Sequence, residues 1–379
     1  MHLSVIRRKI RLQIRKFNKI TGKLFSRPYF KAIVLLNLIA LVNFYSVAGK
    51  RALISQTIIF LLGTALAVVI SNLKYDWIKN LAIPAYISVC GLVFLVSTIG
   101  TRVNGARRWL RFAGFTLQPT ELLKLALILM IGFYLQARIK PDTRNGRQYN
   151  LFDLIIPLTF TLLPLILVLK QPDLGTAIIC LLITGSILFF MGIEKRTLVL
   201  ITIVLCSGGF MGWKHLKPYQ RDRVVNFLNP DMDYRGKNWQ SHQSLLAFGS
   251  GGLIGKGTMR GPEAQLGFLP EKETDFALAS LAEEHGFIAV SLVLLIVNFV
   301  IMKLLFIARN ARDRFSAVFA IGVAFWIGCQ AIINAAMIMG LLPVVGVPFP
   351  IISYGGSSLF AILLALGVVA NLEQKRNVI

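Results

Sequence analysis

Apolar residues in this chain gather into long, nearly charge-free runs separated by shorter polar stretches. Ten runs can be marked, at about 30–47, 52–71, 81–99, 120–137, 151–169, 174–192, 197–213, 286–306, 315–339 and 357–372. A bilayer core about 30 Å thick takes roughly 20 apolar helical residues to cross, so such runs read as spans. They are not the one-sided stripes of a soluble amphipathic helix. They are also too long and continuous for barrel strands, which alternate over about ten residues. The pattern predicts an all-α polytopic membrane protein with about ten transmembrane helices.

Composition agrees. Of 379 residues, 55% are hydrophobic and only 15% are charged, with a mean hydropathy of +0.68. A soluble domain is nearer 45–50% apolar and about 25% charged. The four cysteines, Cys90, Cys180, Cys206 and Cys329, all fall inside predicted spans and have no metal-ligand spacing.

Charge placement predicts orientation. Residues 1–27 hold nine Lys and Arg and no acid, which puts the N-terminus in the cytoplasm. Ten spans return the C-terminus, with Lys375 and Arg376, to the same side. The basic loops Arg138–Asn150 and Ala308–Arg314 fall inside as well. A signal peptide cleaved near Ser46-Val47-Ala48 is disfavoured, because the preceding run is too long and no soluble domain follows. The net charge of +24 reads as basic loops against anionic headgroups, with no nucleic-acid partner. The chain divides into a basic segment, 1–28, and a membrane domain, 29–379, with one large outer loop at about 214–285. The short outer loop near 100–119 is basic against the rule.

Ionisable residues near spans are costly and invite functional readings. Four places carry them. In NGARRWLRFAGFTLQPTELLKL, Arg107, Arg108 and Arg111 flank Trp109 and Phe112, as in an interfacial segment. Pro119 opens a helix on which Glu121 and Lys124 share a face, either as a neutralising pair or as the lining of a polar cavity. In QPDLGT, Asp173 suits a helix N-cap. The outer loop carries Arg221 and Arg223, then GSGGLIGKG with Lys256, whose backbone N–H groups could cradle an anion. It continues with LPEKETDF, then Glu283, Glu284 and His285. Asp275 sits where a helix begins, so capping is its plain alternative. Asp275 to Phe306 is 32 residues, about 48 Å of helix, longer than the hydrocarbon core. Asp275–His285 is therefore expected to extend beyond the span, straight or bent at Gly286, with three solvated carboxylates. Last, Pro343, Pro348 and Pro350 break the helix before YGGSS, where Ser357 and its neighbours could offer donors to phosphate.

Seven segments together resemble one family: NGARRWL, QPTELLKL, QPDLGTA, YQRDRV, QSLLAFGSGGLIGKG, LPEKETDFALASLAEEHG and GLLPVVGVPFPIISYGGSS. They run in order from about 104 to 371 and resemble the SEDS family of bacterial cell-wall proteins. PVVGVPFP and the YQRDRV…GKNWQSHQSLLAFGSGGL run are closer to its elongation branch, RodA, than to its division branch.

The resemblance implies a peptidoglycan glycosyltransferase in the bacterial cytoplasmic (inner) membrane. Its substrate would be lipid II, polymerised with inversion at the outer face during cell elongation. It also implies a class B penicillin-binding protein as transpeptidase partner. Asp275 maps onto the family's catalytic aspartate, Glu121 and Lys124 onto its charged pair, and Asp173 onto its QPDLGT aspartate. Glu273 stands where the family often has His.

The chemistry is compatible. A sugar hydroxyl needs a general base, and a departing pyrophosphate needs cations. Arg107, Arg108, Arg111, Arg221, Arg223, Lys256 and Ser357 are the candidates for binding it. No cofactor is implied, and a divalent cation on Glu271, Glu273 and Asp275 is left open. The alternatives are a flippase or other polar-solute transporter, and a non-catalytic scaffold.

Overall fold

The computed structural model describes residues 21–103, 106–112, 115–138, 151–193, 196–197, 199–200 and 239–374. It also describes single positions at 203, 207, 221, 225, 227 and 228. Every structural statement concerns these residues. Among them the helices are α1 Pro28–Val47, α2 Gly49–Ser71, α3 Tyr75–Asn80, α4 Ala82–Ile99, α5 Pro119–Arg138, α6 Leu151–Lys170, α7 Leu174–Phe190, α8 Trp239–Ser250, α9 Pro262–Gln265, α10 Ala277–Arg309, α11 Arg314–Ile338 and α12 Gly356–Gln374.

Eight segments are long and apolar enough to cross a membrane, with α3 and α4 counted together, and α7 is a shorter apolar helix. The molecule is a multi-pass membrane protein. Most of the expected span at 197–213 and most of the basic segment 1–28 lie outside the described residues.

Local chemistry explains the helix bundle. α2 and α12 pack through small residues: a Cβ on Gly367 would lie 2.7 Å from Ala67 Cα, and one on Gly63 would lie 2.7 Å from Leu363 Cδ1. Such residues let backbones approach where water cannot drive association. Asn371 then caps α2, its Nδ2 donating to the carbonyls of Ile70, Ser71 and Leu73. Pro164 inside α6 has no N–H to offer the carbonyl four residues back. The Tyr86 hydroxyl supplies that bond, donating to the Phe160 carbonyl at 2.7 Å.

One prediction needs an addition. The basic loop before α5 is a three-stranded antiparallel sheet: β1 Thr101–Val103, β2 Ala106–Phe112 and β3 Phe115–Leu117. Thr101 pairs with Trp109 and Leu110 with Leu117. β-branched and aromatic residues on short turns favour strands. The spans remain helical.

The bundle has two ends. At one, Tyr75 donates to Asp313 and Arg27 pairs with Glu373. At the other lie the sheet, the α6–α7 turn, the residues from α8 to the start of α10, and the coil between α11 and α12. All candidate site residues that the structure describes in context belong to this second end or to the interior beneath it.

Candidate active site

Asp275 is half-buried in a turn before α10. It does not cap the helix: α10 starts at Ala277, with Phe276 at the cap position and no side-chain cap bond. The turn is clamped from two sides. Asn334 of α11 donates from Nδ2 to the Asp275 carbonyl at 2.7 Å and to the Val347 carbonyl at 2.8 Å. The Tyr354 N–H donates to the Glu273 carbonyl at 2.7 Å. Gly346 sits beside the carboxylate, where a Cβ would come 3.4 Å from Asp275 Oδ2. Its φ of +72° suits glycine.

The coil touching Asp275 also touches α7. A Cβ on Gly175 would lie 2.8 Å from both the Val345 carbonyl oxygen and Val347 Cγ2. Two residues earlier Asp173 caps α7, accepting from the Thr176 N–H at 3.2 Å and from its hydroxyl at 2.9 Å. The expected N-cap is therefore present. Asp173 Oδ2 also accepts from Gln118 Nε2 at 3.2 Å, and Arg108 Nη1 lies 4.0 Å from Oδ1. The structure thus gathers Asp275, the 345–347 coil, Asp173 and Arg108.

Beneath them Glu121 and Lys124 form a buried ion pair at 2.7 Å. The Lys124 ammonium stands 5.4 Å from the Trp326 ring centroid, within cation–π range. The sequence allows a neutralising contact or a cavity lining here. Its burial and mutual bond establish the contact.

The arginines divide by strand alternation, which sends successive side chains to opposite faces. Arg108 turns to the α6–α7 turn and donates to the carbonyls of Gln171, at 2.8 Å, and Pro172. Arg107 donates to the Thr98 carbonyl, and Arg111 is exposed. Arg221 is a half-buried, isolated described position, and Arg223 lies outside the described residues.

Three expectations change. The glycine run with Lys256 is not an open anion cradle, because the N–H groups of Gly255, Lys256 and Gly257 already donate to backbone carbonyls. α10 breaks at Gly286, φ +73°, which strands carbonyls on one side and N–H groups on the other. The run splints that break. The N–H groups of Lys256 and Gly257 donate to the carbonyls of Glu283 and Glu284. The N–H groups of Phe287 and Ile288 donate to the carbonyls of Gly252 and Leu253. A Cβ on Gly251 would lie 1.9 Å from the Ala282 oxygen, so a side chain would prevent the contact.

Glu283 and Glu284, expected to be solvated, are 0% exposed. Glu283 Oε1 accepts from Lys256 Nζ at 2.9 Å, and its carboxylate takes the N–H groups of Glu263 and Ala264. Glu284 Oε1 accepts from the Ser46 hydroxyl at 2.6 Å and Gln265 Nε2 at 2.9 Å. Both anchor the loop.

Ser357 is likewise a clasp. It accepts from the Gln118 N–H at 2.8 Å and donates to the Thr116 carbonyl at 3.1 Å. With Ile59, Leu62, Leu117 and Phe360 it borders an apolar cavity of about 180 Å³.

Glu271, Glu273 and Asp275 do not assemble into a group of three that could hold a metal ion, among the described residues. Burial pushes the Glu273 carboxyl above its ordinary value; Lys272 pulls it down and Glu271 adds to the rise.

The family model for FtsW, RodA and SpoVE, described as "Cell cycle protein", matches residues 28–378. The chain belongs to this family. It is 38% identical over 304 residues to "Probable peptidoglycan glycosyltransferase FtsW" of Tolumonas auensis, covering 79% of this chain and 76% of that one. It is 34% identical over 319 residues to "Peptidoglycan glycosyltransferase MrdB" of Escherichia coli, covering 84% of both. Similar identities to both leave the branch undivided. Among solved structures, a chain of a peptidoglycan synthase complex superposes with TM-score 0.78 at 30% identity, over 92% of this chain and 97% of that one. RodA of Thermus thermophilus gives 0.69 at 27%, over 93% and 97%.

The sequence reading missed Asn334, Gly346 and Gly175. Asn334 was visible as an uncharged polar residue inside an apolar run, a class that bonds across membrane helices.

Proposed function

We propose that this protein is a peptidoglycan glycosyltransferase that polymerises lipid II at the outer face of the bacterial inner membrane. The observation that carries the reading is the clamp on Asp275, a carboxylate at the meeting point of α10, α11 and the 345–347 coil. Asp275 takes the proton from the acceptor's C4 hydroxyl as its oxygen attacks the anomeric carbon of the donor. The bond from that carbon to the pyrophosphate oxygen breaks, the configuration inverts, and undecaprenyl pyrophosphate leaves. Arg111, with the arginine-bearing face of β2, stabilises the departing charge. Arg108 supports the α6–α7 turn. The apolar cavity beside Ser357 suits the prenyl chain.

A class B penicillin-binding protein is the proposed partner, in keeping with the synthase complex that this chain resembles. The elongation role is proposed on the PVVGVPFP and YQRDRV stretches and is tested by complementing depletion of an elongation member against depletion of a division member. A transporter is disfavoured by the packing below the polar interior. A Cβ on Gly322 would lie 2.7 Å from Ile128 Cγ2 and 3.1 Å from Ile187 Cδ1, a close-packed apolar floor.

The test incubates the purified protein and its partner with lipid II. Glycan strands from the wild type and none from a folded Asp275→Ala support the reading. Polymer from that variant removes Asp275 as base, and lipid II translocation without polymer overturns the enzyme.

A further inference from the structure

α11 carries a polar stripe through its apolar surface. Trp326, Gln330 and Asn334 are each four residues apart, so they lie along one face at about 6 Å spacing. The lowest meets Lys124 and the highest holds Asp275. Gln330 lies between the buried ion pair and the proposed base. It is 0% exposed, and neither atom of its carboxamide has a hydrogen-bond partner among the described residues. Trp326 Nε1, Asn334 Oδ1, Glu121 Oε2 and Thr120 Oγ1 are unsatisfied in the same way.

A buried amide without partners destabilises a fold, and an apolar side chain of the same volume would remove that cost. Local rules broken without a compensating contact are expected where function requires them. We propose that Gln330 is a substrate ligand that binds the acetamido group of an amino sugar in lipid II. This rests on the glycosyltransferase reading.

The chemistry selects the ligand. Glu121 and Lys124 neutralise each other, so the surroundings of Gln330 suit a neutral group rather than pyrophosphate. A carboxamide offers a donor and an acceptor side by side. The acetamido carbonyl, a strong neutral acceptor on the sugar, takes Nε2, and a sugar hydroxyl donates to Oε1. Residues 343–349 above Asn334 are not helical, and Gly346 there has φ +72°; the proposal requires this coil to move aside for substrate.

The proposal makes stability and activity move in opposite directions. Gln330→Met keeps the volume and deletes the polar atoms. Its thermal midpoint should rise by about 1–3 °C, while glycan formation with the partner present falls roughly 10- to 100-fold through KM for lipid II. The wild type should also favour native over de-N-acetylated lipid II, and the variant should lose most of that preference. A lower midpoint, or failure to fold, would mean that Gln330 has a structural partner and would overturn the proposal. So would unchanged activity, or an equal loss on both substrates. If the wild type forms no glycan at all, the enzyme reading fails and this inference with it. If Asp275→Ala is inactive while Gln330→Met is not, only this inference fails.

Discussion

Asn334→Ala tests whether the Asp275 clamp works as geometry. The substitution deletes two hydrogen bonds, at 2.7 Å to the Asp275 carbonyl and 2.8 Å to the Val347 carbonyl. Val347 is buried, so its carbonyl loses its partner where water cannot easily replace it, at about 1–3 kcal/mol. The half-buried Asp275 carbonyl is cheaper, at about 1 kcal/mol. The sum, about 2–4 kcal/mol, is a large share of a typical stability of about 5–15 kcal/mol but not all of it. The variant should fold with a lower midpoint. Its chemistry should suffer more: a misplacement of about 1 Å at a reacting group can cost about 100-fold in rate. The assay is glycan formation by the purified protein with its partner, with thermal unfolding measured on the same preparation. The loss should fall on kcat, because Asn334 acts through Asp275 and not on bound substrate. Adding Asn334→Ala to Asp275→Ala should lower the rate no further. A normal kcat in a destabilised variant, or a loss confined to KM, would refute the positioning argument.

Three further outcomes follow from the contacts. Lys124→Met should destabilise by about 3–5 kcal/mol by leaving Glu121 buried without its cation, and Glu121→Gln/Lys124→Met should recover much of that; equal midpoints for single and double variants would contradict the pairing. Arg108→Ala should lower the thermal midpoint, since it strips donors from the Gln171 and Pro172 carbonyls, whereas exposed Arg111→Ala should keep the midpoint and raise KM for lipid II, with a weaker effect at high salt. The raised Glu273 carboxyl binds its proton more tightly folded than unfolded. Its contribution to stability is therefore present near and below the ordinary glutamate value of 4.5 and is lost as pH rises through the raised one. Glu273→Gln should flatten that part of the pH–stability curve, and an unchanged slope would assign it to other groups.

The spans were legible because each needs only its own residues: a run of apolar side chains long enough for the bilayer. The same holds for contacts within one turn of helix. Glu121 and Lys124 are three residues apart, as are Asp173 and Thr176, and both contacts were readable from spacing. The sheet was harder to read. Its strands are three, seven and three residues long, and their aromatic and basic content reads equally as an interfacial segment. Contacts set by tertiary packing were not legible at all. Lys256 and Glu283 are 27 residues apart, and Ser46 and Glu284 are 238 apart.

The broken helix α10 shows why that distinction governs function. A continuous helix from Ala277 would need no outside help, and its polar first turns would be free to meet water and substrate. Gly286 removes that continuity, and the glycine run must then supply both donors and acceptors across the break. Glu283 and Glu284 are drawn inward to hold the run in place, which is why two of three candidate carboxylates turn out to be buried anchors. Asp275 lies outside this arrangement, before the helix starts, and is fixed instead by Asn334 from α11. Backbone of irregular shape near a membrane is tolerated where protein satisfies it. Here such contacts leave Asp275 half-buried beside Gly346, while Glu283 and Glu284 are fully buried.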